Sequence, residues 1–159
     1  MLNLLVTCRP SSKLVELSAD GGQCVREIAL QPDIAAEVHH AAQLTSTGQL
    51  VVCHGAWTAT RHRVCLLDAD GAVSRSHGGQ RGSESGQLDW PRHVAVDEDS
   101  QFIYAADRNN DRVVLLSPTL ELVRVFSEGL TQPRRLYLHH QTRRLFVGLV
   151  EDGVTVIQL

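Results

Sequence analysis

The chain matches itself, and that match restricts its fold more than any other feature. Residues 4–17 (LLVTCRPSSKLVEL) lie without a gap on residues 103–116 (IYAADRNNDRVVLL), placing Arg9 on Arg108 and Lys13 on Arg112. Residues 50–67 carry the same strand, loop, basic residue, strand unit, with Arg63 at the basic position and a loop four residues longer. Pro91-Arg92 returns 42 residues later as Pro133-Arg134. A unit that recurs at this distance cannot bury its own faces, so its copies must stack on one another. A period of roughly 40 to 50 residues with four short strands in each is the pattern of a β-propeller blade.

The apolar runs fit that period. Leu4–Val6, Leu14–Leu17, Cys24–Leu30, Leu50–Cys53, Val64–Leu67, Val94–Val96, Phe102–Ala106, Val113–Leu116, Leu122–Phe126, Leu136–Leu138, Leu145–Leu149 and Val154–Ile157 are all strand-length and divided by turn pairs such as Asp20-Gly21 and Asp70-Gly71. No long stretch with a 3.6-residue period interrupts them, so the fold class expected is all-β. Residues 33–44 are read as a strand, although Asp33 ahead of alanines also suits a helical turn. The expected architecture is a partial β-propeller of about three and a half four-stranded antiparallel blades within one domain, residues 1–159. The blades fall at approximately 1–30 (partial), 31–77, 78–130 and 131–159 (partial), the first without its inner strand and the last without its outer one. Open edges of that kind present unpaired backbone groups. They imply two chains pairing edge to edge, or a remainder of the ring elsewhere in a longer protein.

Composition removes several classes of function. Hydrophobic residues are 43% and charged residues 21% of the 159, which excludes a disordered tail or a membrane span. Fifteen basic against eighteen acidic residues leave a net charge of −3, so the sum does not indicate a strongly basic nucleic-acid binder. Fourteen of the fifteen basic residues are Arg, the side chain suited to planar, bidentate recognition of carboxylate or phosphate. Cys8, Cys24, Cys53 and Cys65 show no disulfide or metal-ligand spacing, and no basic leader precedes the first apolar run. A reducing, cytoplasmic setting without a cofactor is therefore expected.

Gly82-Ser-Glu-Ser-Gly86-Gln-Leu-Asp-Trp-Pro91-Arg-His-Val-Ala-Val-Asp97, continuing through Ile103-Tyr-Ala-Ala-Asp107-Arg-Asn-Asn-Asp-Arg112-Val, resembles the NHL repeat. The likeness covers residues 78–117 closely and the outer units more weakly. It implies a fragment of a six-bladed propeller, of the kind often joined to tripartite-motif ubiquitin ligases and related scaffolds; no RING or B-box cluster is present to carry ligase activity over. His93 stands where the family usually has Gly, and Asp99-Ser100-Gln101 replaces its Asp-Gly turn. Cys8, His54 and an apolar residue near Leu149 occupy the place of Asp107 in the other units. Asp97 and Asp107, at strand ends, are suited to accept loop amides, and Arg112 to pair with Asp107.

Sorting loops by type predicts where function sits. The loops between the second and third strands, and those between blades, share one side of a propeller. That side collects Arg9, Trp57, Arg61, Arg63, Arg92, Arg108, Arg134 and Arg135, while Asp20, Asp68, Asp70 and Asp97-Glu98-Asp99 fall on the other. The expected activity is a non-enzymatic interaction module that binds an acidic segment of a protein partner through its arginine-bearing loops, with no membrane partner. Two alternatives follow from the resemblance: an RNA-binding face, and a metal-dependent propeller lyase or hydrolase. Aromatic residues are only 4%, few for base stacking. His39, His40, His54, His139, His140 and Cys53 lack a common repeat position, so neither catalytic nor metal-binding residues are assigned. Trp90, just before Pro91, is read as a packing residue.

Overall fold

A computed structural model of the chain describes residues 4–8, 13–20, 22–35, 38–55, 57–151 and 153–159. The fold is all-β, with four antiparallel sheets of three, four, four and three strands in chain order. Sheet 1 holds β1 (Leu4–Cys8), β2 (Lys13–Leu17) and β3 (Cys24–Ala29). After the single helical turn α1 (Pro32–Ala35), sheet 2 follows with β4 (Val38–Gln43), β5 (Leu50–His54), β6 (Arg61–Leu67) and β7 (Val73–Gln80). Sheet 3 is β8 (Pro91–Val96), β9 (Ile103–Asp107), β10 (Arg112–Leu116) and β11 (Leu122–Phe126), and sheet 4 is β12 (Arg135–His139), β13 (Arg144–Gly148) and β14 (Val154–Gln158). Among the described residues no helix is long and apolar enough to cross a membrane.

Two elements differ from expectation. Residues 33–44 are not one strand: Pro32 sits at the first position of α1, where a missing N–H costs nothing, and β4 begins only at Val38. β7, the fourth strand expected of the 31–77 unit, runs past that boundary to Gln80, and no apolar run marks it because it is the outer strand of sheet 2, with three consecutive exposed residues at Ser74–Ser76 and a Gly78-Gly79 pair. Gly78 has a φ of 94° and lies against the backbone of His62, a site where a side chain would collide with β6.

The self-match has a direct structural counterpart. The hairpins of the first three sheets share one register, Leu4↔Leu17 to Cys8↔Lys13, Leu50↔Leu67 to His54↔Arg63, and Ile103↔Leu116 to Asp107↔Arg112. In sheet 4 the matching pairs begin at Leu145↔Ile157 and continue to Leu149, whose N–H donates to Gly153 O.

Because side chains alternate along a strand, each sheet has two apolar faces. The front face of every later sheet covers the back face of the sheet before it. Leu50, Val52, Cys65 and Leu67 of sheet 2 cover Leu14 and Ile28 of sheet 1, with Ile34 of α1 filling the same cluster. Ile103, Ala105, Val114 and Leu116 of sheet 3 cover Val51, Cys53, Val64 and Leu66 of sheet 2. Leu136, Leu138, Leu145 and Val147 of sheet 4 cover Tyr104, Ala106 and Val113 of sheet 3. Each buried Leu, Val or Ile in these layers is worth about 1.5–3 kcal/mol of apolar transfer.

Polar bonds repeat across the same boundaries. Trp90 and Gln132 both precede a proline and both take left-handed backbone, with φ of 60° and 44°. The Trp90 N–H donates to His62 Nδ1 at 2.7 Å, and the Gln132 N–H donates to Asp111 Oδ1 at 2.7 Å; His62 and Asp111 hold the same repeat position, just before Arg63 and Arg112. On the opposite side, Gln101 and Arg143 occupy the left-handed residue of the turn after β8 and after β12, with φ of 59° and 52°. Gln101 Nε2 reaches back to Thr45 Oγ1 at 3.0 Å, and Arg143 Nη1 reaches back to Asp97 Oδ2 at 2.6 Å.

Candidate functional site

The arginine-bearing loops come together where sheets 2 and 3 meet, and Trp90 is the centre of the group. Its backbone is fixed by His62, which is fully buried and turns Nε2 toward Ala59 O at 3.2 Å, leaving Nδ1 to accept the Trp90 N–H. Its indole N–H donates to His39 Nε2 on β4 at 3.0 Å. A bulky residue with positive φ is an uncommon and strained conformation, held here by two histidines of the preceding sheet. The ring is thereby set at the surface. The Arg108 guanidinium lies 4.7 Å and the Arg92 guanidinium 5.4 Å from its centre.

Trp57 completes the cluster from the long loop between β5 and β6. Its ring is 6.0 Å from Trp90, it is 66% exposed, and Arg81 stacks on it at 5.0 Å. Exposed cation–π contacts of this kind are worth about 0.5–1 kcal/mol each, enough to order long side chains but not to neutralise them. The acidic residues divide the arginines. Arg81 is paired with Asp89 at 2.9 Å. Arg108 donates to two neutral acceptors, Gln132 Oε1 at 2.7 Å and Asn109 Oδ1 at 3.3 Å, and keeps its charge uncompensated by a carboxylate among the described residues.

The structure thus gathers Trp57, Arg92 and Arg108 and adds Trp90, Arg81 and His39. Arg134 and Arg135 are exposed at the start of β12, on the neighbouring boundary, and Arg61 is exposed with its nearest carboxylate, Asp33, at 3.8 Å. Arg63 is not presented to a partner. It is 8% exposed, its Nη2 donates to Asp33 Oδ2 at 2.6 Å, and its Nε donates to His54 Nε2 at 3.0 Å. The reason is positional, since Arg63 is the third residue of β6 rather than part of the loop, and α1 carries Asp33 over it. The Arg63 bond also holds the Asp33 carboxyl below its ordinary value, while burial and the Arg63 charge push His54 down to about 3, so His54 is the neutral acceptor this geometry needs. Arg9 lies outside the described residues.

Asp107 and Arg112 form the pair expected of them, 2.7 Å apart, with Asp107 also accepting the Asp89 N–H at 2.7 Å and Asn110 Nδ2 at 2.8 Å. Burial nevertheless raises the Asp107 carboxyl above its ordinary value, against the pull of those donors. The pair is structural: Arg112 gives two further donors to Gln87 O and Ser83 O, tying down the connection that delivers Trp90.

The histidines fall into separate places. His39 serves Trp90, His54 serves Arg63, and His40 stacks on His93 with ring centres 3.6 Å apart. His139 caps its own turn through Thr142, and His140 lies 3.7 Å from Asp97. Among the described residues no group of three or more His, Cys, Asp or Glu is placed to hold a metal ion. Loop type alone pointed to Trp57, Arg92 and Arg108. Arg81 was missed because it follows a strand that the apolar pattern does not show, and His39 and His62 because nothing local marks them as neighbours of Trp90. No protein-family model matches the chain. No curated protein matches it either.

Proposed function

We propose that the four sheets are successive blades of an NHL-type β-propeller and that the chain is a non-enzymatic interaction module binding an acidic segment of a protein partner. The observation that carries the reading is the placement of Arg92 and Arg108 over Trp90 beside the exposed Trp57. It presents guanidinium groups over one ring with the exposed apolar surface of a second ring next to them. Carboxylates of an extended segment meet the donors, and neighbouring apolar side chains meet Trp57. The repeat period, the shared hairpin register and the front-to-back stacking support the propeller reading. The Gly82–Val113 likeness supports the family.

RNA is the second reading, favoured by one feature: Trp57 is a largely exposed ring beside Arg81, the pairing of residue types on which a base stacks. One titration separates the two. Fluorescently labelled Asp/Glu-rich peptides, a charge-reversed peptide and single-stranded RNA are titrated against the wild-type chain and an Arg92→Ala/Arg108→Ala double variant at two salt concentrations. The proposal expects acidic peptide to bind, and the double variant to bind at least tenfold more weakly. Preference for RNA, with affinity falling steeply in salt, transfers the site to the second reading. Equal binding of acidic and reversed peptides overturns the assignment.

A further inference from the structure

The stacking of the sheets leaves two apolar faces uncovered among the described residues, and they are complementary in kind. On the back face of sheet 4, Phe146, Val154 and Val156 hold the repeat positions of Tyr104, Val113 and Leu115 in sheet 3. In sheet 3 those residues lie beneath sheet 4, with Tyr104 and Val113 buried. In sheet 4 Val154 is 67% exposed, and Tyr137, paired with Phe146 across β12 and β13, is 63% exposed. On the front face of sheet 1, Leu4, Val6, Val15 and Leu17 hold the positions of Leu50, Val52, Cys65 and Leu67, the residues with which sheet 2 covers sheet 1. Leu4 is 60% exposed.

We infer that these two faces are the two halves of one interface, and that the occupant of the sheet 4 back face is the sheet 1 front face of a second copy of this chain. The contact continues the back-to-front packing that joins sheets 1 and 2, 2 and 3, and 3 and 4. Such a contact is head-to-tail. Our inference is that two copies close on each other through it, so that all four faces are satisfied. This is face-to-face stacking rather than the pairing of open strand edges expected from the repeat count.

Sedimentation of the full chain measures the result directly. The wild type is expected at twice the chain mass, and Val156→Glu and Val15→Glu, on opposite faces, are each expected to shift it to monomer with at least tenfold weaker association. Mixing the two variants provides the decisive arm. Each retains the face the other has lost, so the mixture is expected to recover one contact and run as a heterodimer. A monomeric wild type overturns the inference, as does a Val15→Glu chain that remains dimeric, because that would mean sheet 4 packs on sheet 4. A mixture that stays monomeric overturns it equally. Tyr137→Ser and Leu4→Ser, at more exposed positions, serve if a glutamate variant loses its β-sheet circular dichroism, and the same outcomes decide.

Discussion

Arg143 Nη1 donates to Asp97 Oδ2 at 2.6 Å across the boundary between sheets 3 and 4, from a turn residue with a φ of 52° to a carboxylate that is fully buried. Burial pushes that carboxyl up, but Arg143, Ser100 and the Asp99 N–H together hold it below its ordinary value of 3.8. A depressed folded value means that the stabilisation is fully present above pH 3.8 and is lost as pH falls through the folded value. Arg143→Leu is expected to cost about 1–2 kcal/mol at pH 7, a figure discounted because Arg143 is itself partly exposed. Urea melts of wild type and variant at pH 7 and below pH 3 check this, with the gap between them narrowing in acid.

The interior histidines dominate the next stretch of the pH curve. Burial lowers His40 to about 4 and His93 and His54 to about 3, from an ordinary 6.5. Below pH 6.5 the unfolded chain therefore binds protons that the folded chain refuses, so stability falls as pH drops from 6.5 toward 4. Thermal midpoints across that window should decline smoothly, and a His40→Gln/His93→Gln variant should flatten the decline while retaining part of the stacked contact.

The two tryptophans are expected to behave differently. Trp57→Phe removes an exposed ring and should change stability by no more than about 0.5 kcal/mol while weakening peptide binding. Its remaining emission, from Trp90 alone, should lie to the blue of the wild-type spectrum. Trp90→Ala removes the platform of Arg92 and Arg108 and the indole donor to His39, while keeping the backbone N–H that bonds His62, and should cost about 2–4 kcal/mol. Fluorescence spectra and urea melts of the two variants read both effects.

Thiol chemistry checks the layer packing. Cys53 and Cys65 are buried and their thiols are pushed up to about 12 and about 11, chiefly by burial, whereas Cys24 is exposed. The thiolate is the reactive form, so native protein should react quickly at Cys24 while Cys53 and Cys65 react only after unfolding. Mass spectrometry after brief alkylation, with and without denaturant, gives the order.

The hairpins were legible because their signal is local. Leu14 to Leu17, Ile103 to Ala106 and Val113 to Leu116 carry alternating or continuous apolar side chains that any strand of that length would bury, and the gapless match of 4–17 to 103–116 returns as one shared register. Sorting by loop type also placed Trp57, Arg92 and Arg108 on one side, because loop sidedness follows from chain direction. The fate of each arginine depended on residues far away. Asp33 takes Arg63, Asp89 takes Arg81 and Asp97 takes Arg143, and no spacing in the chain announces those pairs. Arg143 even sits on the side that loop sorting assigns to acidic residues.

Trp90 is held by β4 through His39 and by β6 through His62, while the arginines that cover it, Arg92 and Arg108, belong to sheet 3. The platform therefore exists only while sheets 2 and 3 remain docked. By thermodynamic linkage, a ligand that needs the platform must tighten that junction in proportion to its affinity. The cluster acts as a latch between neighbouring sheets: occupancy would be felt first as a slower separation of the two halves of the molecule, even at positions the ligand never touches.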